Sequence, residues 1–137
     1  MKIIMLPIIL ILLSLFSCND FTSKQDPELQ KSIQRGSIVY EDFCMQCHLL
    51  EGKGVPNAFP PLNQSDYLMH KRKESIKAIK FGISGEITVN GQKYNSVMTP
   101  LGLSDKEVAD VMNYVTNSWD NKNNKMVTEA EVSKIEP

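Results

Sequence analysis

Apolar positions along the chain fall into blocks with different periods. Residues 3–16 are almost continuously apolar, preceded by Lys2 and followed by the small Ser17. The run is shorter than the roughly 20 apolar residues a membrane-spanning helix needs, and a short basic start, an apolar centre and a small residue at the break are the layout of a secretory signal peptide over 1–17. Residues 18–28 are polar with little period and read as a tether, with regular structure beginning near Glu28. A domain over 29–121 follows. Its first helix is expected to carry Ile33, Ser37, Tyr40, Cys44 and Cys47 on one face, since they recur at alternating steps of four and three. Gly52, Gly54, Pro56, Pro60 and Pro61 exclude a helix from 52–62.

A short helix is predicted over 65–69 and a longer one over 74–81, with Ile76 and Ile79 inward and Gly82 in the cap position. Asn90-Gly91 between Ile87-Thr88-Val89 and Gln92-Lys93-Tyr94 signals a tight hairpin. Ser104 and Glu107 form a capping box for a last helix, with Leu103 stapled onto Val108. Val108, Val111, Met112, Val115 and Trp119 form its apolar stripe. Residues 122–137 read as a polar tail, which either holds one further turn near 128–133 or frays. No internal repeat and no second domain is visible.

Composition narrows the function. The chain has 15 Lys and Arg against 16 Asp and Glu, a balance that excludes a nucleic-acid binder held by bulk charge. Three cysteines in an exported chain leave one over, which calls for an explanation. Leu15-Phe16-Ser17-Cys18 resembles a bacterial lipobox, in which the cysteine is acylated and becomes the mature N-terminus. On that reading Cys18 carries lipid, and the domain sits on the periplasmic side of a bacterial membrane. An uncleaved N-terminal anchor helix is the competing reading, and it too places the domain outside the cytoplasm.

Cys44-Met45-Gln46-Cys47-His48 is C-x-x-C-H, the attachment pattern for haem c. Thiols at i and i+3 on one helical face can form thioethers with two haem vinyl groups, and the next residue, His48, is then placed beneath the iron as a ligand. A thioredoxin-type site would sit near a βαβ pattern, which is absent. A zinc site would need four nitrogen or sulfur ligands, and the only further histidine is His70. One covalent haem c, bound by Cys44, Cys47 and His48, is therefore the expected cofactor.

On these residues the chain resembles a small monohaem class I cytochrome c over about 30–121. Gly36 and Tyr40 stand eight and four residues before Cys44, and Val111 and Tyr114 fall where the family has the aliphatic and aromatic residues of its last helix. The resemblance implies an all-α fold, short helices wrapped around one haem, with a small β-hairpin on the distal side. It also implies that Gly36 permits close crossing of the terminal helices. Phe59-Pro60-Pro61-Leu62 resembles the loop whose proline carbonyl accepts from the proximal histidine: Pro60 is the first choice and Pro61 the alternative, with Leu62 packed on the haem face. Met98, in the loop between hairpin and last helix, matches the family's distal ligand, although Thr99 separates it from Pro100. His70 is the competing ligand, its plainer reading being a surface histidine beside Lys71, Arg72 and Lys73. The stretch from Gly85 to Trp119 further resembles cytochrome domains fused to copper nitrite reductases and some quinoprotein dehydrogenases.

A His48/Met98 pair would fill both axial positions and leave no place for substrate. The expectation is thus a carrier and not an enzyme: a monomer shuttling single electrons between membrane or periplasmic redox proteins, held at the membrane by its N-terminal lipid. Two alternatives stand beside it, a non-catalytic haem subunit permanently docked on a dehydrogenase or reductase, and a haem enzyme or gas sensor with a labile distal ligand. Tyr94 and Asn95 either hydrogen-bond near the haem or only shape the turn. Trp119 either packs at the haem edge or closes the helix stripe. Lys71, Arg72, Lys73, Lys77 and Lys80 either steer an acidic partner or form a solvated face.

Overall fold

The structure, a computed structural model, describes residues 26–137. The expected signal peptide, Cys18 and most of the expected tether lie outside the described residues. Among the described residues no helix is long and apolar enough to cross a membrane.

Helix α1 (Pro27–Phe43) starts inside the segment expected as tether, because local chemistry favours it there. Asp26 caps it by accepting from Glu28 N at 2.9 Å, proline occupies the first turn, and Glu28 places an acid at the positive end of the helix dipole. Its buried face is Leu29, Ser32, Gly36, Val39 and Tyr40. This corrects the expected stripe: Ile33 and Ser37 are only half-buried. The hydropathy pattern misses the true face because two of its members, Ser32 and Gly36, carry no apolar side chain. A short helix α2 (Met45–His48) continues the chain, followed after a loop by α3 (Asp66–His70) and α4 (Arg72–Phe81).

Strands β1 (Ile87–Val89) and β2 (Gln92–Tyr94) form an antiparallel hairpin, with Ile87 opposite Tyr94 and Val89 opposite Gln92. The turn residues Asn90 and Gly91 both have positive φ, 51° and 77°, as a turn matched to strand twist requires. Asn90 also fastens the hairpin to α3. Its side-chain oxygen accepts from Asp66 N at 2.9 Å, while Asp66 Oδ1 accepts from Asn90 N at 2.7 Å.

Helix α5 (Asp105–Val115) begins at the Ser104–Glu107 capping box and is buried on most sides. It ends at Val115, so Trp119 does not extend its stripe. Thr116 Oγ1 and the Asn117 and Asn121 amides donate to the carbonyls of Met112, Asn113 and Val115, closing the helix end.

Residues 122–137 do not form a detached polar tail. Val127, Val132 and Ile135 are buried in the same core as Val108, Val111 and Met112, and α6 (Glu129–Val132) is capped by Thr128. Polar residues anchor the segment. The Asn113 side chain exchanges two hydrogen bonds with the Val127 backbone at 2.8 and 2.7 Å, and the Arg72 guanidinium holds Glu131 at 2.7 Å. The whole is mostly helical with one small two-stranded sheet, the expected fold class.

Helices α1 and α5 cross where Gly36 lies, and only a glycine allows it. A Cβ there would stand 2.0 Å from the Asp110 carbonyl oxygen and 2.8 Å from Tyr114 Cβ. Beside the crossing, the buried Asp110 carboxylate accepts from Ser32 Oγ, Lys106 Nζ and both faces of the Arg35 fork, each at 2.7 Å. Burial would raise its pKa, but these donors together outweigh burial and hold the carboxyl below its ordinary range.

Candidate functional site

The site is built on the break between α1 and α2. Cys44 leaves ideal helix geometry at φ −116°, and its carbonyl accepts from both Cys47 N at 3.2 Å and His48 N at 3.0 Å. The tightened turn buries the Cys44 side chain and leaves Cys47 and His48 partly exposed. Burial, with Cys47 nearby, pushes the Cys44 thiol up to about 11, so it stays protonated at neutral pH. Leu49, at φ 63°, then turns the chain away.

That turn is clamped from behind. Tyr40 donates its hydroxyl to the Leu49 carbonyl at 2.6 Å, and Trp119 Nε1 donates to Leu50 O at 3.1 Å. Tyr40, Tyr114 and Trp119 pack together with ring centroids 5.3–6.0 Å apart. The Trp119 ring covers Gly52, where a Cβ would come within 2.5 Å of it. Trp119 thus braces the attachment loop and does not line the cavity beside it.

The following loop folds on itself through the Val55–Phe59 bridge. Gly54, at φ 63°, lies against it so closely that a Cβ would meet Phe59 O at 2.3 Å and Pro60 O at 2.5 Å. This places the Pro60 carbonyl oxygen 2.9 Å from His48 Nδ1. A carbonyl can only accept, so Nδ1 carries the proton and Nε2 is left as the lone-pair donor. Burial lowers the His48 pKa against the opposing effect of the Pro60 bond, which favours the neutral ring a metal requires. Pro61 and Leu62 also line the cavity, but no bond joins the Pro61 carbonyl to His48.

Met98 comes from the segment between β2 and α5. Its backbone exchanges two 2.9 Å hydrogen bonds with Ile83, forming an isolated antiparallel bridge. His48 and Met98 both border two adjoining cavities, which share Pro60, Ile83 and Ile87 as well. Cys44 opens on the larger, with Leu62, Leu68, Ile79, Val89, Val111 and Val115, and Cys47 on the smaller, with Phe59, Tyr94 and Val97. Among the described residues, no acid, lysine or arginine lines either one. The chamber has the apolar character of a cofactor site. One imidazole, one thioether sulfur and two thiols on an apolar cleft fit a covalently held haem.

The other candidates fall elsewhere. His70 is exposed and borders neither cavity. Met112 is fully buried within α5, Met45 packs on the core away from the cavities, and Met69 and Met126 border neither. Tyr94 is buried at the smaller cavity, whereas Asn95 is exposed and outside it. Part of the basic run is committed inside the molecule, while Lys73 and Lys77 are exposed. Arg72 pairs with Glu131, Lys80 with Asp105, and Lys71 stands over the Tyr67 ring. Sequence reasoning missed Ile83, Ile87 and Val89 as cavity walls, though their alternation with polar neighbours was a signal. It missed the Ser96 hydroxyl, which borders the smaller cavity and donates to Ala58 O.

The sequence model of the cytochrome c family matches residues 33–119. A cytochrome c-552 of Thermus thermophilus is 36% identical over 109 residues, covering 73% of this chain and 82% of that protein. The cytochrome c subunit of a quinone alcohol dehydrogenase from Gluconacetobacter polyoxogenes is 32% identical over 104 residues, covering 73% of this chain and 22% of that subunit.

Proposed function

Since the chain belongs to the cytochrome c family and carries electrons on one covalently bound haem c, we propose that it is a six-coordinate, freely exchanging carrier whose haem is held by Cys44 and Cys47 and ligated by His48 and Met98. The supporting observation is the shared cavity bordered by His48 and Met98, with His48 Nδ1 already committed to Pro60. The haem supplies a one-electron couple.

The chain's own groups do the rest. Cys44 and Cys47 would hold the haem through thioethers, each thiol adding across a vinyl group with its hydrogen passing to the neighbouring carbon. Pro60 fixes the ring of His48 and keeps Nε2 free to bind, as ligand-orienting partners do. Met98 supplies a soft sulfur, which raises the potential relative to more electron-donating ligands. The apolar walls from Leu62, Ile79, Val111 and Val115 exclude water, favouring the less charged iron state. With both axial positions filled by protein there is no open site for substrate, which favours a carrier over an enzyme. Transfer would pass where the smaller cavity meets solvent, beside Val97, which is 65% exposed. Contacts with redox partners there would be small and transient.

The apolar residues 3–16 and Cys18 support export and a lipid anchor on the periplasmic side of a membrane. The partners would then be membrane or periplasmic redox proteins. Cyanide and peroxide test the carrier reading on ferric protein. Slow cyanide uptake and no peroxide turnover are expected; rapid binding with turnover would contradict it. The similarity to a dehydrogenase's cytochrome subunit favours a second reading, a subunit permanently docked on an enzyme. Purification from the native source separates the two: a free monomer supports exchange, and a stable co-purifying dehydrogenase supports docking.

A further inference from the structure

The segment that bears Met98 is held at two points. One is the backbone bridge to Ile83, backed by Gly82, where a Cβ would meet Met98 O at 2.5 Å. The other lies two residues before Met98, where Ser96 donates its hydroxyl to the Ala58 carbonyl at 2.5 Å. These two contacts differ in kind. The first ties Met98 to its own side of the cleft. The second crosses to the loop that carries Pro60, and hence to the loop that orients His48.

The receiving loop is a stiff platform. Val55 and Phe59 exchange two 2.8 Å hydrogen bonds, Ala58 N donates to Val55 O at 3.0 Å, and Gly54 seals its back. Ser96 borders the smaller cavity, as does Phe59, next to Ala58. The Ser96–Ala58 bond therefore joins the Met98 segment to the Pro60 loop at the edge of the smaller cavity. A second link from the hairpin to this loop, Gln92 Nε2 to Asn57 Oδ1 at 3.2 Å, joins two exposed side chains, so water competes with it directly.

We propose that Ser96 is a positioning residue, a latch whose hydroxyl holds the Met98 segment closed over the haem and so sets how often the sixth coordination position opens to small basic ligands. The proposal rests on the reading of Met98 as a ligand. A hydroxyl-to-carbonyl bond is a small net contribution, and the half-buried Ala58 carbonyl can turn to water when it is lost. The expected effect is accordingly a shift in the opening equilibrium and not unfolding.

Imidazole titrations of the ferric, haem-loaded protein test this, followed in the visible spectrum at one pH for wild type, Ser96→Ala, Ser96→Thr, Met98→Ala and Val132→Ala. Ser96→Ala should bind imidazole about fivefold more tightly, the factor expected for one net hydrogen bond. Ser96→Thr, which keeps the hydroxyl, should match wild type. Val132→Ala loosens the fold away from the cleft and should leave imidazole affinity unchanged. Hydrogen exchange at the Met98 amide, which donates to Ile83 O, should quicken in Ser96→Ala and not in Ser96→Thr or Val132→Ala. Wild-type affinity in Ser96→Ala, a threonine variant that behaves like alanine, or an equal gain in Val132→Ala would each overturn the latch. Should Met98→Ala bind imidazole no better than wild type, the ligand reading itself fails. Tight binding by Met98→Ala with Ser96→Ala unchanged defeats the latch alone.

Discussion

Replacing Gly36 with alanine tests the packing that places the haem cleft. The added Cβ would stand 2.0 Å from the Asp110 carbonyl oxygen, 2.5 Å from its carbon and 2.8 Å from Tyr114 Cβ, whereas ordinary contact begins at 3.4 Å. The oxygen must retreat by about 1.4 Å to reach that distance. None of these atoms is the loose end of a side chain, and Asp110 is held by Ser32, Arg35 and Lys106. The clash is therefore relieved only by prising α1 from α5, which places it at the upper end of overpacking costs, about 3 kcal/mol. Alanine recovers about 1 kcal/mol through its better helix propensity. The net loss is about 2 kcal/mol, which in a domain of this size lowers the melting temperature by about 10 °C. Guanidinium titration of the haem-loaded protein, followed by helix circular dichroism, measures it. Gln34→Ala, on the exposed face of the same helix, should stay within about 0.5 kcal/mol of wild type. A Gly36→Ala protein as stable as wild type, or more so, would refute the reasoning.

Three further outcomes are expected. The Asp110 carboxyl is depressed in the folded state, so its contribution is complete above the ordinary value of 3.8 and is lost as pH falls through the folded value. The stability gap between wild type and Asp110→Asn, measured by denaturant titration, should therefore shrink below pH 3.8, and a gap that stays constant to pH 2 would count against the carboxylate cluster. Val132→Ala removes a fully buried side chain from the C-terminal segment and should cost about 2 kcal/mol in the same assay, where no loss would mean the segment does not pack. Cys18→Ser should release the exported protein from membranes into the soluble fraction, and continued membrane retention would defeat the lipid anchor.

What the sequence disclosed was mostly local. A capping box at Ser104 and Glu107, an Asn90-Gly91 turn and a C-x-x-C-H run each act within a few residues, so their meaning survives without the fold. What it concealed depended on distant partners. Ser32, Asp110, Asn113 and Asn121 look like surface residues, yet all four are buried, because each meets a donor or acceptor from another element. The same cause hid the role of 122–137, whose three buried apolar residues are too sparse to show a period but are seated by Asn113 and Arg72. The basic run looked free for the converse reason: Glu131 and Asp105, which neutralise Arg72 and Lys80, lie far away in sequence. The phase of α1 was misread because packing there is governed by the smallest side chain, Gly36, and hydropathy cannot register a side chain that is absent.

The central claim is that His48 and Met98 together close the coordination of the haem iron. Visible absorption of the ferric protein tests it most directly, because a methionine sulfur on ferric haem gives a weak charge-transfer band in the red. Wild type and His70→Ala should both show this band, and Met98→Ala should lose it. A Met98→Ala spectrum identical to wild type, with the band lost instead in His70→Ala, would contradict the account.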